Sequence, residues 1–450
     1  MKRLSPEDQL FLWLEKRQQP MHVAGLQLFS FPEEAGDNYV YELAEQMRAY
    51  TEVSPPLNKR LVQRWGQFYW EKDERPDLEH HFRFEALPTP GRIRELLAFV
   101  SAEHSHAMDR QRPLWEVHLI EGLQDRRFAL YSKIHHSLVD GVSAMRLAQK
   151  FLSPDPNLRN QPPIWALPTN TRAGQARSPS VLQNLRHLLG DAGQQLGTIP
   201  GVTKQLLKTI NEARRNPEYD SIFHAPPCIL NQPVTGSRRF AAQSFHLDRI
   251  KAVGKTYHAT VNDTVLAICA HALRSYLKSQ DALPDQPLIA MVPVSLRQEG
   301  HEGGNQVGTI LASLGTHIAD PAQRLAHIRA SMQEGKDRYA AMTPEQCINY
   351  TALTMAPAGF QLLTGLAPRW QTFNVVISNV PGPKETMYWN GARLEGMYPV
   401  SIVLDRMALN MTLNSYNDQV EFGLIGCRRT LPSLQRLLDY LEEGLQALEH

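Results

Sequence analysis

Two adjacent histidines, His135 and His136, close a strand-like apolar run, and Asp140 and Gly141 follow in the stretch His135-His136-Ser137-Leu138-Val139-Asp140-Gly141. Histidine titrates near neutrality, so an imidazole facing a cleft can take a hydroxyl proton and return it to a leaving group. An aspartate four residues after the second histidine can orient an imidazole, or hold the loop through a basic partner. Two plainer readings compete. In the first, the strand sends one histidine into the core and the other to solvent, and Asp140 caps the next helix. In the second, His135, His136 and Asp140 bind a metal, but adjacent side chains diverge and no HExxH, CxxC or carboxylate pair adds ligands. The order of strand, histidine pair, acid, glycine and helix favours a general-base site, and no metal is expected.

The elements that must position this segment are legible around it. Trp115 to Ile120 and Phe128 to Ile134, joined by the polar turn Gln124-Asp125-Arg126, predict a hairpin ending at the histidines. Val142, Met145, Leu147, Ala148, Phe151 and Leu152 predict a helix after them, stopped by Pro154. Upstream, Ser5-Pro6-Glu7-Asp8 opens a short helix, residues 22–29 read as a strand, 40–50 and 92–107 as helices, and 68–70 and 81–84 as strands. Downstream, strands are expected over 238–247, 287–294, 373–380, 400–411 and 419–425, and helices over 247–255, 262–277 and 321–339. Prolines crowd residues 154–180 as in a linker, and amphipathic helical faces follow over 181–196 and 202–210. The expected organisation is a domain over 1–153, a linker with amphipathic helices over 154–230, and a second domain over 231–450. Strands and helices alternate in both halves without a short repeat, giving a mixed α/β (α+β) class and excluding solenoids and propellers.

Composition narrows the function classes. The 450 residues carry 47 Lys and Arg against 46 Asp and Glu, a net charge of +1, which gives no global attraction to nucleic acid. A local excess exists over 158–215, where eight bases face Asp191 and Glu212. Cys228, Cys269, Cys347 and Cys427 are far apart and read as isolated thiols in a reducing compartment. Glu7 and Asp8 precede any apolar stretch, so no secretory signal is expected. The uncharged run 346–368 has the length of a membrane span, but Asn349, Pro357, Gly359, Gln361 and its threonines predict a buried or surface-seeking helix instead.

The histidine segment matches the HHxxxDG motif of the CoA-dependent acyltransferase superfamily. Its companions are Ser5-Pro6, Pro20-Met21-His22-Val23, Pro113-Leu114-Trp115-Glu116, Thr260-Val261-Asn262-Asp263, Pro293-Val294-Ser295-Leu296-Arg297, Gly304-Asn305-Gln306 and Ile377-Ser378-Asn379-Val380-Pro381-Gly382-Pro383. In order, these resemble the signatures of the bacterial wax ester synthase/diacylglycerol acyltransferase family over nearly the whole chain. The resemblance implies two chloramphenicol-acetyltransferase-like mixed-sheet domains with the histidines at their interface. It also implies transfer of a fatty acyl group from acyl-CoA, as co-substrate and without a further cofactor, to a long-chain alcohol or diacylglycerol. His136 is then the base and His135 its support, with Asp140 and Arg297 holding geometry beside Gly141. Asn262 is either a helix cap or a donor to the oxyanion. Ala144, Met145, Gly359, Phe360, Leu363 and Leu366 are candidates for the substrate channel, or else ordinary core. No glycine-rich phosphate loop is visible, so nucleotide contacts are expected from scattered residues. The alternatives are a stand-alone condensation-type acyltransferase and a non-catalytic lipid-droplet protein. A cytoplasmic enzyme visiting the inner membrane or lipid inclusions through 181–215 is expected.

Overall fold

A computed structural model describes residues 1–139, 141–167, 225–295, 307–343 and 371–450, with 346, 347, 350, 351, 354, 355, 358 and 359. Asp140, Arg297, Phe360, Leu363, Leu366 and the amphipathic stretch 181–215 lie outside the described residues.

The strands of the N-terminal half are β1 (Lys2–Arg3), β2 (His22–Ser30), β3 (Lys59–Arg64), β4 (Gln67–Lys72), β5 (Phe82–Ala86), β6 (Trp115–Leu123) and β7 (Arg127–His135). Those of the C-terminal half are β8 (Arg238–His246), β9 (Ile289–Ser295), β10 (Val307–Ser313), β11 (Val375–Pro381), β12 (Tyr388–Trp389), β13 (Ala392–Val400), β14 (Leu409–Tyr416) and β15 (Gln419–Cys427). The helices are α1 (Pro6–Leu14), α2 (Tyr39–Arg48), α3 (Leu78–His81), α4 (Ile93–Glu103) and α5 (Gly141–Lys150), then α6 (Leu247–Thr256), α7 (Val261–Ser279), α8 (Pro321–Ala340) and α9 (Arg436–Glu449).

Among the described residues, two six-stranded sheets dominate, ordered β12-β13-β2-β7-β6-β5 and β10-β9-β11-β14-β15-β8, beside a small sheet β1-β4-β3. β2 and β7 are buried on both faces except at Ser30 and Arg127, which is why both read as nearly unbroken apolar runs. Their antiparallel register sets His22 opposite His135. This is the mixed two-sheet architecture expected from the sequence.

The halves interlock, because β12 and β13 leave the C-terminal sheet and complete the N-terminal one, Val400 lying opposite Ala24. The stretch 400–411, read as one strand, therefore divides: Val400 ends β13 and Leu409 begins β14. β13 crosses β15 so closely that a Cβ on Gly423 would stand 1.9 Å from the Pro399 carbonyl oxygen, a contact that requires glycine. Beside this crossing the Met397 amide donates to the Glu421 carboxyl, which is fully buried and which burial pushes up to about 8. A shared core of Leu26, Tyr131 and Val400 from the first sheet with Phe240, Ile425 and Cys427 from the second seals the junction.

The start of the proline-rich stretch is packed. Trp165 is fully buried, stacks on Trp115 at 5.7 Å and donates its indole N–H to the Tyr50 carbonyl at 2.9 Å. In the uncharged run, the described residues Cys347, Tyr350, Thr351, Thr354 and Met355 are helical and buried. The Thr351 and Thr354 hydroxyls donate to the carbonyls of Cys347 and Tyr350, one turn back, which makes their burial tolerable. Among the described residues, no helix is long and apolar enough to cross a membrane.

Candidate active site

The histidines sit where β7 ends and the chain turns into α5. The His135 amide donates to the Leu114 carbonyl at 3.0 Å, the His136 amide to Met21 at 2.8 Å, and the Leu138 amide back to His135 at 2.9 Å. Both rings are thereby carried by a turn tied to the strands on either side.

Their surroundings differ. His135 is 1% exposed, and its Nδ1 accepts the Ser137 amide at 3.1 Å and lies 2.7 Å from the Ser137 hydroxyl. A nitrogen accepting a backbone N–H carries no proton, so the neutral ring holds its proton on Nε2. That nitrogen is 3.4 Å from Glu15 Oε1. His136 is half-buried, stacks on Phe11 of α1 at 4.0 Å and 24°, and presents a side to the central cavity.

Glu15, just past the end of α1, was not singled out from the sequence. Its carboxylate accepts the Met21 amide at 3.1 Å and two Arg110 N–H groups at 2.8 and 3.0 Å. Burial alone would raise its pKa, but His135, the Met21 amide and Arg110 outweigh that and hold it at about 2. The result is a permanent anion beneath the first histidine.

On the same side, His22 donates from Nε2 to the His104 carbonyl at 3.0 Å. His104 accepts the Tyr131 hydroxyl and donates to the Ser401 carbonyl at 2.9 Å. Burial pushes His104 down to about 3 and His22 well below the usual histidine value, so both stay neutral links between the end of α4 and the N-terminal sheet.

The cavity, about 290 Å³, opens between the sheets. β7 contributes Ser132 and Ile134, α5 contributes Gly141, Ala144, Met145 and Ala148, and β9 and β11 contribute Met291, Pro293, Val376 and Ser378. Its walls are mainly apolar, with isolated hydroxyls, as suits an alkyl chain carrying one reacting group. Ser132 lies two strand steps before His136, and among the described residues its buried hydroxyl has no hydrogen-bond partner. The structure thus brings together His136, Gly141, Ala144, Met145 and Ser378. It does not bring Gly359 or Asn262 into the lining. Asn262 is the second residue of α7, whose actual cap is Thr260, with Asp263 completing a capping box.

Among the described residues, Glu103, Glu116 and His118 place possible metal-ligating atoms within 4.8 Å of one another. Lys133, 1% exposed, already places its ammonium 2.8 Å from Glu116, so the cluster has a built-in cation. All four cysteines are free thiols.

Residues 4–265 match the wax ester synthase/diacylglycerol acyltransferase catalytic domain, and residues 303–449 match the C-terminal domain of the same proteins. The chain belongs to the wax ester synthase/diacylglycerol acyltransferase family. It is therefore an acyltransferase. It is 48% identical to the O-acyltransferase WSD of Acinetobacter baylyi, over 100% of this chain and 97% of that one. It is 45% identical to a probable diacylglycerol O-acyltransferase of Mycobacterium tuberculosis, over 100% and 99%. Among solved structures, the wax ester synthase/diacylglycerol acyltransferase from Marinobacter aquaeolei VT8 superposes with a TM-score of 0.83 at 64% identity, covering 100% of this chain and 99% of that one. The starter condensation domain of rhizomide synthetase, 13% identical with a TM-score of 0.58, shares the fold. Of the polar roles that the family resemblance implies, those of Asp140 and Arg297 fall outside the described residues.

Proposed function

We propose that the protein moves a fatty acyl group from acyl-CoA to the hydroxyl of a long-chain alcohol or of diacylglycerol, with His136 as general base. One observation carries the assignment of roles: His135 is buried, with Nδ1 accepting the Ser137 amide and Nε2 3.4 Å from Glu15, whereas His136 faces the apolar cavity. His136 takes the hydroxyl proton and the alkoxide oxygen bonds to the thioester carbonyl carbon. The carbon–sulfur bond then breaks, and the departing thiolate receives the proton from His136. The base is regenerated, and neither a covalent acyl-enzyme nor a further cofactor enters. Ser378 on the cavity wall carries a hydroxyl available to steady the carbonyl oxygen as its charge develops.

The apolar walls favour alkyl substrates over the polar carrier-bound amino acids of a condensation enzyme, and the names of the full-length relatives point the same way. A non-catalytic lipid-coat role leaves the fixed tautomer of His135 without a purpose. Such substrates partition into lipid, so the enzyme works at the cytoplasmic surface of the membrane or of lipid inclusions. The test is thiol release from palmitoyl-CoA with hexadecanol or diacylglycerol as acceptor. Release no faster with acceptor than without would reject the transfer reaction.

A further inference from the structure

The turn joining β3 to β4 is costly in two ways. Trp65 and Gly66 form its tip with φ of 52° and 72°, between the paired residues Arg64 and Gln67. This is the doubly left-handed pattern of a two-residue hairpin, for which Asn-Gly is the favoured pair. A bulky residue there strains its backbone. Trp65 is also 97% exposed, so its indole recovers nothing by packing within the chain. Backbone strain and an unburied aromatic ring at one braced position mark a surface shaped by something outside the fold.

The strands behind the tip are basic. β1, β3 and β4 carry Lys2, Arg3, Lys59, Arg60, Arg64 and Lys72 against the single acid Glu71, in a chain whose net charge is only +1. Glu71 pairs with Arg60 at 2.7 Å, Glu74 just past β4 pairs with Lys72 at 2.6 Å, and Arg3 is held beside the tip by its hydrogen bond to Gln67 at 2.7 Å. The small sheet is also braced on the active-site frame. The Leu4 amide donates to the Phe68 carbonyl at 3.1 Å, and the Phe68 amide donates to the Gln9 side chain at 3.4 Å. Gln9 lies on α1, whose Phe11 stacks on His136.

We infer that the β3–β4 hairpin is the element by which the protein settles on an anionic lipid surface. The Trp65 indole sits at headgroup level, and Arg3, Arg64 and their basic neighbours lie against lipid phosphates. An indole has an apolar body and one N–H donor, which suits the boundary between acyl chains and water. The surrounding positive charge is complementary to anionic headgroups. A single-stranded nucleic acid would call for a longer basic groove with several stacking rings. The inference rests on the proposed function, whose acceptor substrates reside in lipid, and it sets the lipid-facing element next to the helix that packs on the base.

The experiment compares binding of the full chain and of Trp65→Asn to vesicles of phosphatidylglycerol and phosphatidylcholine. It adds the double variant Arg3→Gln/Arg64→Gln, and measures thiol release from a short-chain acyl-CoA and a short alcohol free in solution. Trp65→Asn restores the favoured turn pair, so it is expected to fold at least as stably as the parent while its vesicle partitioning falls about tenfold or more. Each arginine removed should weaken partitioning by about fivefold at low salt. Thiol release in solution should stay within about twofold of the parent. Parent-like vesicle binding by both variants, or no vesicle binding by the parent, overturns the assignment. Absence of thiol release by the parent, with vesicle binding intact and sensitive to Trp65, supports the hairpin and overturns the transfer reading instead.

Discussion

Glu15→Gln tests the electrostatic support beneath the histidine pair. The carboxyl is held at about 2, against an ordinary value of 4.5, while its side chain is 7% exposed. That displacement corresponds to about 3 kcal/mol of stabilisation at neutral pH. The figure is an upper value for this substitution, because glutamine keeps an oxygen that can accept the Met21 amide, and Arg110, 38% exposed, can turn to water. About 1 to 3 kcal/mol is therefore expected. The sign follows from the direction of the shift. A depressed carboxyl contributes stability that is fully present above about 4.5 and lost as the pH falls through about 2. Urea unfolding followed by tryptophan emission at pH 7, 5, 4 and 3 should show the parent's advantage constant down to about pH 5 and shrinking below it. Turnover should fall about tenfold with little change in KM for acyl-CoA, since Glu15 orients His135 and does not line the cavity. A stability difference independent of pH across that range, or full activity in the variant, would refute the support role.

Two further perturbations probe the rest of the frame. Glu421→Gln should raise the melting temperature at pH 8 and change it little at pH 4, because the buried carboxyl keeps its proton up to about 8 when folded and up to about 4.5 when unfolded. The stability of the protonated form is thus fully present below about 4.5 and lost as pH rises through 8, by up to about 5 kcal/mol; equal melting shifts at both pH values would show that Glu421 is not held neutral. Ala144→Phe should move the preferred acyl or alcohol chain to shorter lengths, each excluded methylene forfeiting about 0.8 kcal/mol of burial. A chain-length profile identical to the parent's in the folded variant would remove α5 from the channel wall.

The local parts of the site were legible in the sequence because their signals are local. Alternating apolar runs around the Gln124-Asp125-Arg126 turn specify the hairpin β6–β7, and the helical spacing after Gly141 specifies α5. The position of Ser132 was available too, since a period of two counted back from His136 passes through Ile134 to Ser132. Glu15 was not legible. It lies far upstream, and its partners His135, Met21 and Arg110 come together only when α1 folds beneath β7. Nor does any local pattern say that β12 and β13 cross to pair with β2, because a strand's periodicity gives its faces but not its neighbours. β10 is not predicted because Gly308 interrupts a short apolar run, and α9 is not predicted either, although Leu437, Leu441, Leu445 and Leu448 mark it at helical spacing. The reading of Asp140 comes from its place four residues after His136 as well as from the family resemblance, whereas that of Arg297 comes from the resemblance alone.

The general-base role of His136 is tested most directly by His136→Ala, purified and shown by circular dichroism to be folded, in the thiol-release assay with palmitoyl-CoA and hexadecanol. Loss of the proton acceptor should lower the rate by about 10²- to 10⁴-fold, whereas turnover close to that of the parent would contradict the role assigned to this histidine.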